Sequence, residues 1–198
     1  MYKQNISNDE VNALESIQFE GEIFVVQTEA EQKEAAEYLK SQSVLGFDTE
    51  NKPTFTKGVP DKISLVQISS KERAYLFRVN KMPLSREVLL VLQSRRITKV
   101  GLAIDDDIKR ITKVNQKFYP RSFVDLQKIV GGYGIKELGL KKISAIVLNG
   151  KISKAQRLSN WNAKTLTEAQ MRYAATDAWV CAEIYNILKQ NKQNSEQE

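Results

Sequence analysis

The chain has 198 residues, the size of one domain, with 41% apolar and 27% charged residues, a composition able to bury a core without disulfides or structural metal. Histidine is absent and Cys181 is the single cysteine, which excludes a Ser-His-Asp triad, a histidine general base, His/Cys zinc sites and an intrachain disulfide. Lys and Arg number 30 against 24 Asp and Glu, a formal charge of +6 that fits a polyanionic partner such as nucleic acid.

In chain order, Ser7-Asn8-Asp9-Glu10 reads as a capping box that opens a helix to about Ile17. Glu22–Gln27 is a β-rich run, and Thr28 caps a helix to about Lys40. Ser43–Glu50 is a buried strand ending in acids, and Pro53, Gly58 and Pro60 mark a loop. Two strands, Lys62–Ser69 and Arg73–Val79, flank Ser70-Lys71-Glu72 as a hairpin. Ser85–Gln93 is helical, Ile97–Ile104 is an apolar strand, and Asp105-Asp106-Asp107 opens a helix at the end where negative charge is favoured. Phe123-Val124 is a short edge strand, and the helix after it ends near Gly131-Gly132. Ile135–Leu148 is amphipathic, Lys151–Asn162 is a basic loop, and Thr167–Gln170 caps a long helix to about Lys189.

This pattern predicts a single α/β domain over residues 22–189, preceded by a helical extension at 1–21 and followed by a polar tail at 190–198. MYKQNISNDEVN has no apolar core of a signal peptide, and no run of about 18 apolar residues occurs, so a cytoplasmic protein without membrane contact is expected. Gly131-Gly132-Tyr133-Gly134 lacks the GxxxxGK[ST] spacing of a phosphate loop and reads as a helix-ending turn, with no use of NTP.

Three acidic or phenolic groupings stand out. Asp48 and Glu50 project from one face of their strand. Tyr173 and Asp177 stack one turn apart on a helix, separated by the small residues Ala174 and Ala175. Asp107, last of the triple aspartate, adjoins the apolar stripe of Ile108 and Ile111. Taken singly, each is as well explained by a solvated strand end, a core tyrosine beside a surface acid, or a helix-dipole partner. Brought together, four carboxylates could not all ionise without cations. Oxygen-only ligands suit Mg²⁺ or Mn²⁺, and two such ions about 4 Å apart form a clamp for phosphoryl displacement.

FDTE around residue 48, KVGLAIDDDIKRI, Ser159-Asn160-Trp161 and LTEAQMRYAATDAW together resemble the DEDDy 3′-5′ exonucleases, in order and spacing, from about Glu22 to Leu188. The likeness is greatest to the Werner-type exonuclease domain and more distant to ribonuclease D. It implies a ribonuclease H-like α/β fold with a mixed five-stranded sheet flanked by helices. It further implies a two-ion, Mg²⁺- or Mn²⁺-dependent exonuclease that releases nucleoside 5′-monophosphates from DNA or RNA with a free 3′ end. DNA is placed ahead of RNA, and DNA repair is among the settings that fit.

By that resemblance Asp48 bridges both ions, Glu50 and Asp177 hold the nucleophile-side ion, Asp107 supports the second, and Tyr173 orients the water. Asp106 is the alternative to Asp107 if the register slips by one. Lys154 and Arg157 fall where basic residues approach the substrate strand, with Trp161 structural. Asn51 departs from the family's aromatic residue after Asp-x-Glu, which removes a stacking contribution there. The missing histidine fits the tyrosine branch of the superfamily. The rival expectations are a catalytically silent nucleic-acid-binding module of the same fold and a hydrolase of small phosphodiesters.

Overall fold

The computed structural model describes residues 2–51 and 62–195, so the expected loop at Pro53, Gly58 and Pro60 lies outside the described residues. One mixed sheet contains β1 (Glu22–Val26), β2 (Val44–Asn51), β3 (Ile63–Ser69), β4 (Arg73–Phe77), β5 (Thr98–Gly101) and β6 (Phe123–Asp125), in the order β1-β4-β3-β2-β5-β6. Six strands replace the five expected. The five are those the resemblance implies; the sixth, β6, falls where the sequence reads as a short edge strand at Phe123-Val124, and it pairs in parallel with β5. Only β3 runs against its neighbours, because Ser70–Glu72 turns the chain back, closed by Ser70 N–H donating to the Arg73 carbonyl at 2.8 Å.

The helices are α1 (Asn8–Ala13), α2 (Glu29–Lys40), α3 (Arg86–Gln93), α4 (Asp105–Val114), α5 (Leu126–Ile129), α6 (Leu140–Leu148) and α7 (Glu168–Ser195). Reciprocal capping boxes start α1 at Ser7 and α2 at Thr28, and Thr167 with Gln170 makes the same pair of bonds at the head of α7. Four boundaries differ from the sequence reading. The largest is that α7 runs on to Ser195, through most of the expected polar tail, where the sequence reading ends it at about Lys189. β5 stops at Gly101, since Ala103 adopts φ 56° and gives its N–H to the Asp125 carboxylate at 2.9 Å. α6 starts at Leu140, because Gly134 turns left-handed and Lys136 N–H bonds the Gln4 carbonyl. α1 ends at Ala13, after which Ser16 pairs with Lys151 as an isolated parallel bridge.

Strand alternation sorts the layers. Leu45 and Phe47 of β2 join Val66, Ile68 and Phe77 in a core roofed by α2, α3 and α4. On the opposite face α7 crosses the sheet, burying Val180, Cys181 and Ile184 with Val100, Leu126 and Ile143. Among the described residues no helix is long and apolar enough to cross a membrane.

Two buried features decide how tightly the centre of the sheet is held. A Cβ at Gly46 would collide with the Ala178 carbonyl, so glycine is what lets α7 lie directly on β2. Lys99, fully buried in β5, donates to the Ser94 and Ile97 carbonyls at 2.7 Å and lies over the Phe123 ring. Gly46→Ala is expected to cost about 2–3 kcal/mol of stability, the range for overpacking a core, measurable by urea unfolding. Burial pushes the Lys99 amine down to about 8, from an ordinary value of 10.5. Between those values the unfolded chain binds the extra proton, so this residue's contribution to stability rises with pH. Unfolding of wild type and Lys99→Met at pH 7.5 and 9.5 should show the difference moving in favour of wild type; a constant difference refutes the shift.

Candidate active site

β2 carries Asp48 and Glu50 on the face that α7 covers, and Thr49 on the other. From α7, Tyr173 and Asp177 reach down one turn apart, their neighbours Ala174, Ala175 and Ala178 fully buried and small enough for the helix to sit close. Ligand oxygens of Asp48, Glu50 and Asp177 lie within 4.8 Å of one another. Tyr173 lies one turn before Asp177, whose charge reaches its phenol, and packs on the buried Trp161, ring centroids 6.0 Å apart.

The triple aspartate divides among three partners. Asp105 pairs with Lys128 at 2.6 Å, and Asp106 pairs with Lys109 at 2.9 Å; both are exposed. Asp107 turns inward, where its carboxylate accepts a 2.6 Å hydrogen bond from the Thr49 hydroxyl. It stands outside the group of three acids, yet its charge still reaches Asp48 and Glu50. Sequence spacing leaves Asp106 and Asp107 as alternatives; the structure directs only Asp107 to β2.

Burial and mutual repulsion disfavour the ionised form of these acids. Desolvation, then the charges of Asp177 and Asp107, raise Asp48 well above the usual carboxylate value. Desolvation, then Asp48, push Glu50 up to about 9. Asp177 and Asp107 are raised chiefly by desolvation, and the same burial with the Asp177 charge raises the Tyr173 phenol. A site with this many raised carboxyls is built to be neutralised by a cation, and its donors are all oxygen. The residues therefore fit Mg²⁺ or Mn²⁺, with Asp48, Glu50 and Asp177 as the group able to hold an ion.

The two basic residues fare differently. Lys154 reaches into the cluster, its Nζ donating to both Asp177 oxygens at 2.9 and 3.0 Å. Arg157 is exposed in the turn before Ser159. Trp161 is fully buried, as a structural residue would be. Two residues escaped the sequence reading. Thr49, which anchors Asp107, was hidden because it looks like the inert member of Asp-x-Glu. Gln67 sits directly across from Asp48 in β3, fully buried, with neither amide atom partnered among the described residues. A glutamine inside an otherwise apolar strand, ISLVQIS, was the available signal.

Residues 23–192 match the model of a 3′-5′ exonuclease domain family. The chain belongs to that 3′-5′ exonuclease family. It is 34% identical over 167 residues to a protein of Acanthamoeba polyphaga mimivirus named for 3′-5′ exonuclease activity, covering 77% of this chain and 41% of that protein. It is 31% identical over 163 residues to the bifunctional 3′-5′ exonuclease/ATP-dependent helicase WRN of Mus musculus, covering 76% of this chain and 11% of the relative. The chain thus spans less than half the length of these relatives. Among solved structures it resembles the Aedes aegypti Nibbler EXO domain, with a TM-score of 0.81 at 22% identity, over 90% of this chain and 94% of that one. The last likeness is one of fold, and the sheet flanked by helices is the ribonuclease H-like arrangement of these exonuclease domains.

If Asp107 serves the site and Asp106 only the surface, degradation of a 3′-labelled oligonucleotide by Asp106→Asn should stay within about twofold of wild type, since an exposed ion pair contributes little. Asp107→Asn should fall by about a hundredfold or more, the scale seen when one fixed charge-stabilising group is lost. The opposite ranking would show that the register is wrong.

Proposed function

We propose that this chain is a divalent-metal-dependent 3′-5′ exonuclease that hydrolyses the terminal phosphodiester of a nucleic-acid strand and releases nucleoside 5′-monophosphates. The observation that carries this reading is the convergence of Asp48, Glu50 and Asp177 within 4.8 Å, with Tyr173 one helical turn before the last of them. Asp48, Glu50 and Asp177 would hold Mg²⁺ or Mn²⁺, with Asp107 contributing from beside Thr49. Bound there, two ions supply charge neutralisation for in-line attack of water on the phosphodiester.

The chain's own residues do the rest. Tyr173, kept protonated by burial and by the neighbouring acids, is a hydrogen-bond donor and acceptor that can fix the attacking water. The packing of α7 on β2 at Gly46 excludes solvent beneath the acids, which strengthens every charge interaction there. Arg157, exposed on the rim, offers a phosphate contact for the strand. A formal charge of +6 supports a polyanionic substrate, and DNA is the substrate we favour over RNA.

Asp48→Ala should abolish Mg²⁺- or Mn²⁺-dependent shortening of a 3′-labelled oligonucleotide, a loss of at least ~10³-fold, and a chelator should do the same to wild type. Full activity in the variant overturns the site. Salt-sensitive binding of the strand by wild type without hydrolysis under any divalent ion would instead identify a silent binding module. Turnover of a chromogenic mononucleotide ester that outpaces every oligonucleotide would identify a small-phosphodiester hydrolase.

A further inference from the structure

Lys154 does not stand on the rim with Arg157. Its ammonium bridges both oxygens of Asp177 at 2.9 and 3.0 Å and lies 5.5 Å from the centre of the Tyr173 ring. The Asp177 side chain is 5% exposed and that of Lys154 34%, so the pair closes the cluster from its open side. An ammonium seated against both oxygens of an acid occupies space through which a divalent ion would approach them, and two cations at that distance repel.

We propose that Lys154 is a built-in counter-ion that competes with the divalent ion for Asp177 and is displaced from the cluster when that ion binds. The inference rests on the metal site of the proposed function and adds a step to it.

Three observations carry it. First, among the described residues Lys154 is the cation that reaches into this group of acids, its Nζ on both Asp177 oxygens and its charge favouring ionisation of Asp48, Glu50 and Asp177 alike. Without it the convergence of three buried carboxyls would be opposed by repulsion that only protonation could relieve.

Second, the loop is pinned on both sides of this lysine and tied between them only by local bonds. Lys151 exchanges backbone hydrogen bonds with Glu15 and Ile17 at 2.9 Å, and its ammonium bonds the Asn12 carbonyl at 2.6 Å. Trp161 is fully buried. Between these anchors the turns are closed by local bonds, such as Arg157 N–H to the Lys154 carbonyl at 3.3 Å, and Ser153, Ala155, Arg157 and Leu158 are exposed. The long aliphatic stem of Lys154 can therefore swing outward without moving the frame.

Third, the same loop carries Arg157, exposed three residues farther along the chain. The displaced ammonium would join that residue against the phosphates of the strand.

The test needs no nuclease activity. Mn²⁺ binding to the whole chain, without nucleic acid, is measured by calorimetry for wild type, Lys154→Met and Lys154→Arg. Lysine acetylation by acetic anhydride is followed in wild type by mass spectrometry of the peptide holding Lys154, with and without Mn²⁺. The expected results are roughly tenfold tighter Mn²⁺ binding by Lys154→Met, from removal of one competing charge at contact distance, and no tightening in Lys154→Arg. Acetylation of Lys154 should accelerate several-fold when Mn²⁺ is added. If Mn²⁺ binds but acetylation is unchanged, or Lys154→Met binds no tighter than wild type, the counter-ion role is overturned and the metal site stands. If no variant binds Mn²⁺, the metal site itself is overturned.

Discussion

The approach of α7 to β2 at Gly46 sets the distance at which every group of the site meets. Because Gly46 has no side chain, the backbone at Ala178 rests against the strand two residues before Asp48. Asp177 then arrives beside Asp48 and Glu50, and Tyr173 arrives one helical turn earlier on the same side. The stripe of Ala174, Ala175 and Ala178 continues the same logic along the helix. Larger residues at any of these places would lift α7 away and separate the acids that the strand and helix bring together.

That proximity has an electrostatic cost, and the surroundings are arranged to meet it. Each acid has its ionised form disfavoured by desolvation and by its neighbours. Compensation comes from groups that sequence inspection does not rank highly: the Thr49 hydroxyl on Asp107 and the Lys154 ammonium on Asp177. The N-terminal segment is part of the same arrangement. Glu15 and Ile17 hold Lys151, while Phe19 receives Arg172 and gives its N–H to Thr176, the residue before Asp177. Residues 2–21, which precede the matched family region, thus brace both the loop and the helix that supply the site.

Much of the architecture was legible because its determinants are local. Ser7, Thr28 and Thr167 mark helix starts by hydroxyls that satisfy backbone N–H groups within three residues. The hairpin at Ser70–Glu72 and the alternation of Leu45 and Phe47 against Asp48 and Glu50 are equally short-range signals. What misled the reading was long-range. β5 ends early because Asp125, from another strand, captures the Ala103 N–H. The turn before α6 stays extended in part because Lys136 bonds Gln4, far away in the chain.

The sequence by itself determined an α/β domain without histidine chemistry, a basic balance, and the five positions that resemble the tyrosine-branch exonucleases. The first two follow from composition and period and the five positions from likeness to a family's motifs, all of them properties of the chain before it folds. Only the tertiary structure separated Asp107 from Asp106, because that choice depends on which helix face meets Thr49. Only the tertiary structure moved Lys154 from the rim into the acids, because a lysine in a loop can reach several places and Coulomb attraction to Asp177 selects one. Charge and residue type are written along the chain; which charges face one another is decided when α7 settles on β2.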